Sequence, residues 1–232
     1  MTTFVLVHGG WQGGWSFKSV ARLLRANGHD VYVATLTGLG ERSHLAAFPV
    51  NLETHVSDVA NMVLWEDLID VVLVGHSYGG MVITAVADRH PNLVRTLVYL
   101  DAIVPKDGDS LLSLRPEYRE VFLRSAAAAD GRMVAAPAAS ARDARSEFWN
   151  QIDGKNVAHP LNCFTQGIKL TGQHKSVPLR IFIYAAGGSY EEQYRGFRDM
   201  PGNQVHGIAD AGHSIMIDQP EAVSAILVSA VC

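Results

Sequence analysis

A serine stands at the centre of Gly75-His76-Ser77-Tyr78-Gly79, which matches the pattern G-x-S-x-G. In that pattern the serine occupies a sharp turn between a strand and a helix, and its small neighbours let the backbone pack closely. The bare pattern recurs by chance, but here an apolar run at 71–74 precedes it and an amphipathic segment follows it. We therefore predict that Ser77 is a nucleophile rather than a bystander in a glycine-rich turn.

A serine hydroxyl becomes a useful nucleophile only when a neighbouring base takes its proton. In sites of this kind the chain order is serine, then acid, then histidine. Of the ten histidines, His213 alone follows the last predicted strand, in Ala211-Gly212-His213-Ser214. We predict that His213 is the general base, and the alternative is an ordinary histidine of a surface loop.

Acyl transfer passes through a tetrahedral oxyanion that needs preorganised N–H donors. One donor is expected from Tyr78, the residue after the nucleophile, and the second from the loop after the first strand. That loop reads His8-Gly9-Gly10, and glycine lets the backbone approach a ligand closely. We predict Gly10 as the second donor, with a simple glycine turn as the alternative. His8 and His76 are expected to support the loop and the turn.

The acid that orients the histidine is the least determined member of the site. No aspartate occurs at 185–192, after the fifth core strand, where an acid is first expected. Asp101 directly follows the fourth strand and is our preferred acid. Glu191 or Glu192 is the alternative, although both are typical of a first helical turn, where the dipole favours acids. A two-residue Ser–His site is the remaining possibility.

The elements that would position these residues alternate between strands and helices. Alternation of this kind predicts an α/β fold, with a mostly parallel sheet of about six strands and helices on both faces. Functional groups of such sheets gather beyond the carboxyl ends of the strands, where all the candidates lie. Ser16 is expected to cap the first helix and Gly28 to end it. The predicted strands are 4–7, 31–34, 71–74, 94–100, 179–184 and 204–208, and a helix is predicted near 191–200.

The regular alternation lapses between the fourth and fifth strands. The interruption is too long for a plain loop in a compact domain. We therefore predict a small, mainly helical cap or lid at 105–176, inserted into an α/β core formed by 1–104 and 177–232. Apolar pocket residues are expected from this cap, with core packing as the simpler alternative; the candidates are Phe122, Phe148, Trp149 and Phe164.

Composition and charge narrow the function classes. About half of the 232 residues are apolar, which is typical of a globular domain, and the net charge of −4 advertises no basic surface for nucleic acid. The histidines are scattered, without metal-ligand spacing, so no metal is expected. No signal peptide or membrane-length apolar run is evident, which favours a cytoplasmic protein with Cys163 and Cys232 as free thiols. The oligomeric state stays open, a homodimer included.

Together these residues resemble the α/β-hydrolase superfamily, over 3–104 and 177–231. Within it the motifs are most similar to those of the plant methylesterase and hydroxynitrile lyase group and of related small bacterial esterases. The similar segments are His8-Gly9-Gly10-Trp11-Gln12-Gly13-Gly14-Trp15 and the motif around Ser77. The lyases usually carry threonine where this chain has Gly9, and lysine where it has Ser214. Both departures favour ester hydrolysis over cyanohydrin cleavage.

A third departure concerns the acid. When Glu191-Glu192 is aligned with the similar pair of the methylesterases, Ala186 stands at the position of the family's catalytic aspartate. Some haloalkane dehalogenases carry their acid after the preceding strand, in a segment similar to Leu100-Asp101-Ala102-Ile103-Val104-Pro105. This resemblance supports Asp101. Dehalogenation itself is not implied, because that chemistry uses an aspartate nucleophile.

The sequence as a whole predicts a serine esterase with a catalytic triad and an oxyanion hole. Its expected partner is a small or medium apolar carboxylic ester, or a lactone, cleaved through an acyl-enzyme without a metal or organic cofactor. Other chemistry on the same residues stays open, namely that of a lyase, a C–C hydrolase or a thioesterase. A weakly catalytic receptor for a small molecule is the second alternative, because fold does not fix function.

Overall fold

The computed structural model describes residues 1–138, 144–152 and 154–230. The described residues form eight strands: β1 (Thr3–Val7), β2 (Asp30–Ala34), β3 (Val71–His76), β4 (Val94–Leu100), β5 (Met133–Val134), β6 (His159–Pro160), β7 (Leu179–Ala185) and β8 (Asn203–Ile208). They also form ten α-helices: α1 (Lys18–Ala26), α2 (Leu52–Trp65), α3 (Gly79–Arg89), α4 (Leu111–Leu114), α5 (Arg119–Ala127), α6 (Trp149–Ile152), α7 (Asn162–Thr165), α8 (Glu191–Arg195), α9 (Ile215–Asp218) and α10 (Pro220–Ser229).

Six of these strands form one parallel sheet in the order β2-β1-β3-β4-β7-β8. All the pairings in this sheet are parallel, and the register places Gly75 of β3 beside Val7 of β1 and Tyr99 of β4. Parallel strands covered on both faces are expected to be continuously apolar, and every residue of β3 is buried. The predicted α/β fold with a six-stranded sheet is therefore confirmed.

Helices cover both faces of the sheet and divide the core into two layers. Along β3 the side chains alternate: Val71 and Leu73 join the layer under α2 and α3, whereas Val72 and Val74 join the layer under α1 and α10. This period of two is the geometry of a pleated strand. The sheet is thus packed on both faces, and this packing also holds the backbone at its carboxyl edge in place.

Two helix boundaries differ from the sequence-based expectation. Ser16 does not cap α1: it lies in a 3₁₀ turn, Gly14–Phe17, and its hydroxyl donates to the Gly13 carbonyl. The predicted helix at 191–200 ends earlier, at Arg195, and turns follow it. Gly28 does end the first helix, with a left-handed φ of 79° that suits glycine.

The segment 105–176, which we call the cap segment, connects β4 to β7. Its described residues form four short helices (α4 to α7) and also an antiparallel pair, β5 and β6, in which Met133 opposes Pro160. The expectation of a mainly helical segment missed this pair because two-residue strands carry no readable alternation. Of the proposed pocket residues, Phe148 packs against the α1 and α10 layer of the core. The side chain of Trp149 lies outside the described part of the structure.

No helix within the described ranges combines the length and apolar character needed to cross a membrane.

Candidate active site

Ser77 lies on a strained turn between β3 and α3. Its φ is 52°, in the left-handed region that non-glycine residues rarely adopt. Glycines make the turn possible: a Cβ at Gly75 would lie 2.7 Å from the Gly79 carbonyl oxygen, and one at Gly79 would lie 2.7 Å from the Val7 oxygen. The turn is held by the Ser77 N–H, which donates to the Leu100 carbonyl over 3.3 Å. The Ser77 side chain therefore projects from a fixed backbone at the rim of the sheet.

Asp101 and His213 are brought together across 112 positions of sequence. The Nδ1–H of His213 donates to Oδ2 of Asp101 over 2.6 Å. The other carboxylate oxygen of Asp101 accepts the Ala185 N–H at 3.1 Å, and its backbone N–H donates to Ile183 at 2.7 Å. Because Nδ1 carries the proton, Nε2 of His213 has a free lone pair, which is the state a general base requires.

Three contacts position the loop that carries His213. The Nε2–H of His76 donates to the His213 carbonyl oxygen over 2.9 Å, and the two rings lie 4.7 Å apart. The ring of Tyr190 stacks on the His213 imidazole, with centroids 5.9 Å apart and planes 12° from parallel. Asp218 accepts the Gly212 N–H at 2.6 Å. A supporting role for His76 is predicted from the sequence. The roles of Tyr190 and Asp218 are not, because no local motif identifies their partners.

The first loop packs directly against the serine turn. A Cβ added to Gly9 would lie 2.9 Å from Cβ of Ser77 and 2.7 Å from Nδ1 of His76. Such distances leave no room for a larger residue, so Gly9 is required by this close approach. The loop also reaches the base, because the Gln12 amide donates to the hydroxyl of Ser214 over 3.2 Å.

The two proposed oxyanion donors both have unoccupied N–H groups. Within the described ranges, neither the Gly10 N–H nor the Tyr78 N–H has an acceptor from the protein. Gly10 lies under the cap segment, since a Cβ there would lie 3.5 Å from Phe164 and 3.8 Å from Nδ1 of His159. Free backbone donors beside a nucleophile are the components of an oxyanion hole.

His8 supports this loop from the core side. Its Nδ1–H donates to the Gly9 carbonyl over 2.7 Å, and its Nε2 accepts the Leu36 N–H over 3.1 Å. Burial disfavours the charged ring and lowers the pKa of His8 to about 4. The ring is therefore neutral at neutral pH, with one donor and one acceptor, and both are used.

The alternative acids lie elsewhere. Glu191 accepts the Gly187 N–H at 2.6 Å and pairs with Arg195 at 2.5 Å, while Glu192 is exposed. These are the contacts of a first helical turn, as the sequence analysis allowed. The structure brings Asp101, and neither glutamate, into hydrogen-bond contact with His213.

Three buried groups that could bind a metal ion also meet in this region. His55, His159 and Cys163 each offer an atom within 4.8 Å of the others. No sequence motif indicates this cluster, because His55 lies far along the chain from His159 and Cys163. Both His55 nitrogens are engaged, with Thr37 and with the Tyr78 hydroxyl, and burial raises the pKa of the Cys163 thiol well above its usual range. His55 is thus fully hydrogen bonded, whereas the buried Nε2 of His159 has no hydrogen-bond partner among the described residues. A metal ion would have to displace the bonds of His55 and the proton of Cys163, so this donor set fits a metal poorly.

A cavity of about 460 Å³ opens beside Tyr190. It is lined by apolar and polar side chains, among them Ile103, Leu114 and Arg115. The Arg115 guanidinium lies 4.4 Å from the centre of the Tyr190 ring. Because Tyr190 stacks on His213 and the Ile103 N–H donates to the Ser77 carbonyl, the cavity adjoins the residues described above.

Known proteins share both the sequence pattern and the fold. The model of the alpha/beta hydrolase family matches residues 4–226. The carbendazim hydrolyzing esterase of Nocardioides sp. is 41% identical, over 97% of each chain. Salicylic acid-binding protein 2 of Nicotiana tabacum is 32% identical over 50% of this chain and 45% of its own.

Solved structures agree with the fold at lower identity. An extracellular alpha/beta-hydrolase from a Paenibacillus species superposes with a TM-score of 0.79 at 21% identity, and 99% of each chain is covered. Tomato methylketone synthase I, in complex with 2-tridecanone, gives 0.80 at 18% identity, over 99% of this chain and 97% of its own. At these identities the likeness extends to the fold alone.

Proposed function

This chain belongs to the alpha/beta hydrolase family and is an ester hydrolase, and we propose that it acts through Ser77, His213 and Asp101. The single observation that carries this proposal is the hydrogen bond of 2.6 Å between Asp101 and His213. It joins the loops after β4 and β8 beside the strained turn of Ser77. A purely structural role gives no reason for a strained serine and an oriented imidazole at one rim.

The proposed reaction has four steps. Ser77 attacks the ester carbonyl while Nε2 of His213 takes the hydroxyl proton. The N–H groups of Gly10 and Tyr78 bind the oxyanion, and the Asp101 carboxylate stabilises the imidazolium. His213 then protonates the leaving alcohol. Water, deprotonated by His213, attacks the acyl-enzyme, and His213 returns that proton to the Ser77 oxygen as the acid leaves. None of these steps needs a metal or an organic cofactor.

The substrate class we propose is a small or medium apolar carboxylic ester or lactone. The neighbouring cavity, at about 460 Å³, has the size of a pocket for a small molecule and includes Ile103 and Leu114 in its lining. The Nocardioides relative is named for carbendazim, so carbendazim belongs among the substrates to be tried with this chain.

The structure also disfavours cyanohydrin cleavage. The threonine that the resembled lyases carry at the position of Gly9 has no room here, because even a Cβ would lie 2.9 Å from Ser77. Ser214, at the position of their lysine, is buried and accepts a hydrogen bond from Gln12. Neither position offers the groups that would bind a cyanohydrin hydroxyl or cyanide.

The first experiment compares hydrolysis of p-nitrophenyl acetate, p-nitrophenyl butyrate and carbendazim by the wild type, Ser77→Ala and His213→Ala. We expect an initial burst and steady turnover in the wild type, and a loss of about 10⁴-fold or more in kcat for each variant. Trapping of an acyl group on Ser77 by mass spectrometry would identify the intermediate. If the wild type binds these esters but shows neither burst nor turnover, the protein is a receptor and the proposed function is wrong.

A further inference from the structure

Trp11, the residue after the proposed oxyanion donor Gly10, has a left-handed backbone. Its φ is 62°, and a bulky side chain in this region is a genuine outlier. Such a conformation is unfavourable and persists only where the surroundings enforce it. The contacts around Trp11 therefore show what enforces it.

Three hydrogen bonds connect Trp11 to the cap segment. Its N–H donates to Nδ1 of His159 over 3.1 Å, and its carbonyl accepts the Val157 N–H over 2.9 Å. The indole N–H donates to the carbonyl of Val134 over 3.1 Å. All three partners belong to β5, β6 or the loop before β6, although they lie more than 120 positions away in the chain.

Aromatic packing completes the enclosure. The indole contacts Phe122 of α5 edge-on at 5.4 Å and Phe164 of α7 at 5.3 Å. The imidazole of His159 in turn stacks on Phe164, with centroids 4.2 Å apart. Trp11 thus makes its three hydrogen bonds and both of these ring contacts with residues of the cap segment.

These contacts of Trp11 affect the orientation of the neighbouring Gly10 N–H. A peptide group is planar and trans, so its C=O and N–H point in opposite directions. The Gly9 carbonyl, which shares a peptide group with the Gly10 N–H, is held by His8. The next peptide group carries the Trp11 N–H, which is held by His159. Gly10 therefore lies between two fixed peptide groups, one anchored to the core and the other to the cap segment.

We propose that the cap segment completes the oxyanion hole, with His159 and Trp11 as positioning residues that fix the Gly10 N–H from the side opposite His8. This inference rests on the proposed function for its catalytic consequence. Its structural part stands separately, because the three hydrogen bonds are present whichever reaction is catalysed.

The protonation state of His159 suits this role. Because Nδ1 accepts a hydrogen bond, it carries no proton, and the neutral ring has its proton on Nε2. A charged ring would present a second N–H to the N–H of Trp11. Burial disfavours that charge and lowers the pKa of His159 well below its usual range.

The structural part is tested by amide hydrogen exchange, measured by mass spectrometry on peptides that cover residues 8–14. Replacement of His159 by leucine removes the acceptor and keeps an apolar side chain, so exchange in this loop should accelerate about tenfold or more. Ile168→Ala is the matched control, because Ile168 is also buried in the cap segment. It should leave exchange at 8–14 unchanged. Equal exchange in His159→Leu and the wild type would overturn the inference.

The catalytic part is tested with p-nitrophenyl butyrate on the same variants. His159→Leu should lower kcat by about 10- to 100-fold with little change in KM, because the oxyanion forms only after the substrate is bound. In His159→Asn the amide oxygen can replace Nδ1 as acceptor and should restore most of the rate. Trp11→Phe keeps the backbone bonds to His159 and Val157 but loses the indole N–H and part of the ring contacts. It should show a smaller decrease and serves if His159→Leu does not fold.

Failure of the two proposals can be told apart. Faster exchange in His159→Leu together with unchanged kcat would remove the catalytic consequence and refute the inference. A wild type without turnover refutes the proposed function, while the exchange experiment still decides whether the cap segment fixes the loop. An equal loss of kcat in Ile168→Ala would mean that general destabilisation, and not the contact with Trp11, is the cause.

Discussion

At the scale of single residues, the acid is the assignment that kinetics can decide. Asp101→Asn keeps the size of the side chain, but its amide can donate to Nδ1 of His213 and so favour the unproductive tautomer. We expect kcat for p-nitrophenyl butyrate to fall by about 10³- to 10⁴-fold. Glu191→Gln is the control, because its carboxylate contacts Gly187 and Arg195 rather than His213. An Asp101→Asn variant close to wild type would refute the assignment.

Individual residues also show which parts of the site can be predicted from the sequence. The G-x-S-x-G pattern and the strand order were sufficient to expect Asp101 and His213 at one rim, and the two side chains are hydrogen bonded. Local patterns could not indicate the stacking of Tyr190 on His213 or the contacts of Trp11 with His159. Those contacts join segments whose relative position depends on the packing of the whole chain.

At the scale of elements, the chain returns from the cap segment to the core at a buried carboxylate. Asp88, near the end of α3, accepts backbone N–H groups of Thr171, Gly172 and His174 at 2.5–3.1 Å. It also accepts the His174 ring N–H at 2.8 Å. Burial alone would raise the pKa of Asp88, but these donors outweigh it and lower the pKa well below its usual range. Asp88 therefore orders the segment that leads into β7.

Removal of this carboxylate should destabilise the protein markedly. Asp88→Ala leaves several partly buried N–H groups without their acceptor, and we expect a loss of about 3 kcal/mol in the free energy of unfolding. Urea unfolding, followed by circular dichroism at pH 7, measures this change. Asp70→Asn is the comparison, because Asp70 pairs with Arg95 at 3.3 Å on the surface. That variant should lose at most about 1 kcal/mol. Similar losses in both variants would contradict the anchoring role.

The same scale explains which elements the sequence predicted. The core strands are long apolar runs such as β3 and β4, and their parallel order follows from the helices between them. The β5–β6 pair has only two residues per strand, and both strands are hydrogen bonded to Trp11. Propensity and periodicity are therefore informative where an element is long, and uninformative where packing alone decides.

At the scale of the whole molecule, four histidines are fully or almost fully buried near the carboxyl edge of the sheet. They are His8, His55, His76 and His159. Burial lowers the pKa of His8 and of His55 to about 4, and lowers those of His76 and His159 well below the usual range. In the folded protein all four are neutral above about pH 5, whereas in the unfolded chain they titrate near pH 6.5.

This difference makes the stability of the fold depend on acidity. Between about pH 6.5 and 4 the unfolded chain binds protons that the folded protein excludes, so stability must fall as pH falls. Each histidine contributes at most about 1.4 kcal/mol per pH unit in this window. We expect the free energy of unfolding, from urea titrations at about pH 8, 7, 6 and 5, to be nearly constant above pH 7 and to decrease steeply below pH 6. His55→Gln should show a shallower decrease by one histidine's share, whereas His44→Gln, at an exposed position, should keep the full slope.

An unfolding free energy that is the same at pH 7 and pH 5 would mean that these side chains become protonated inside the fold. The neutral hydrogen-bond roles of His8 and His159 beside Gly10 would then be untenable, since each role requires one unprotonated ring nitrogen.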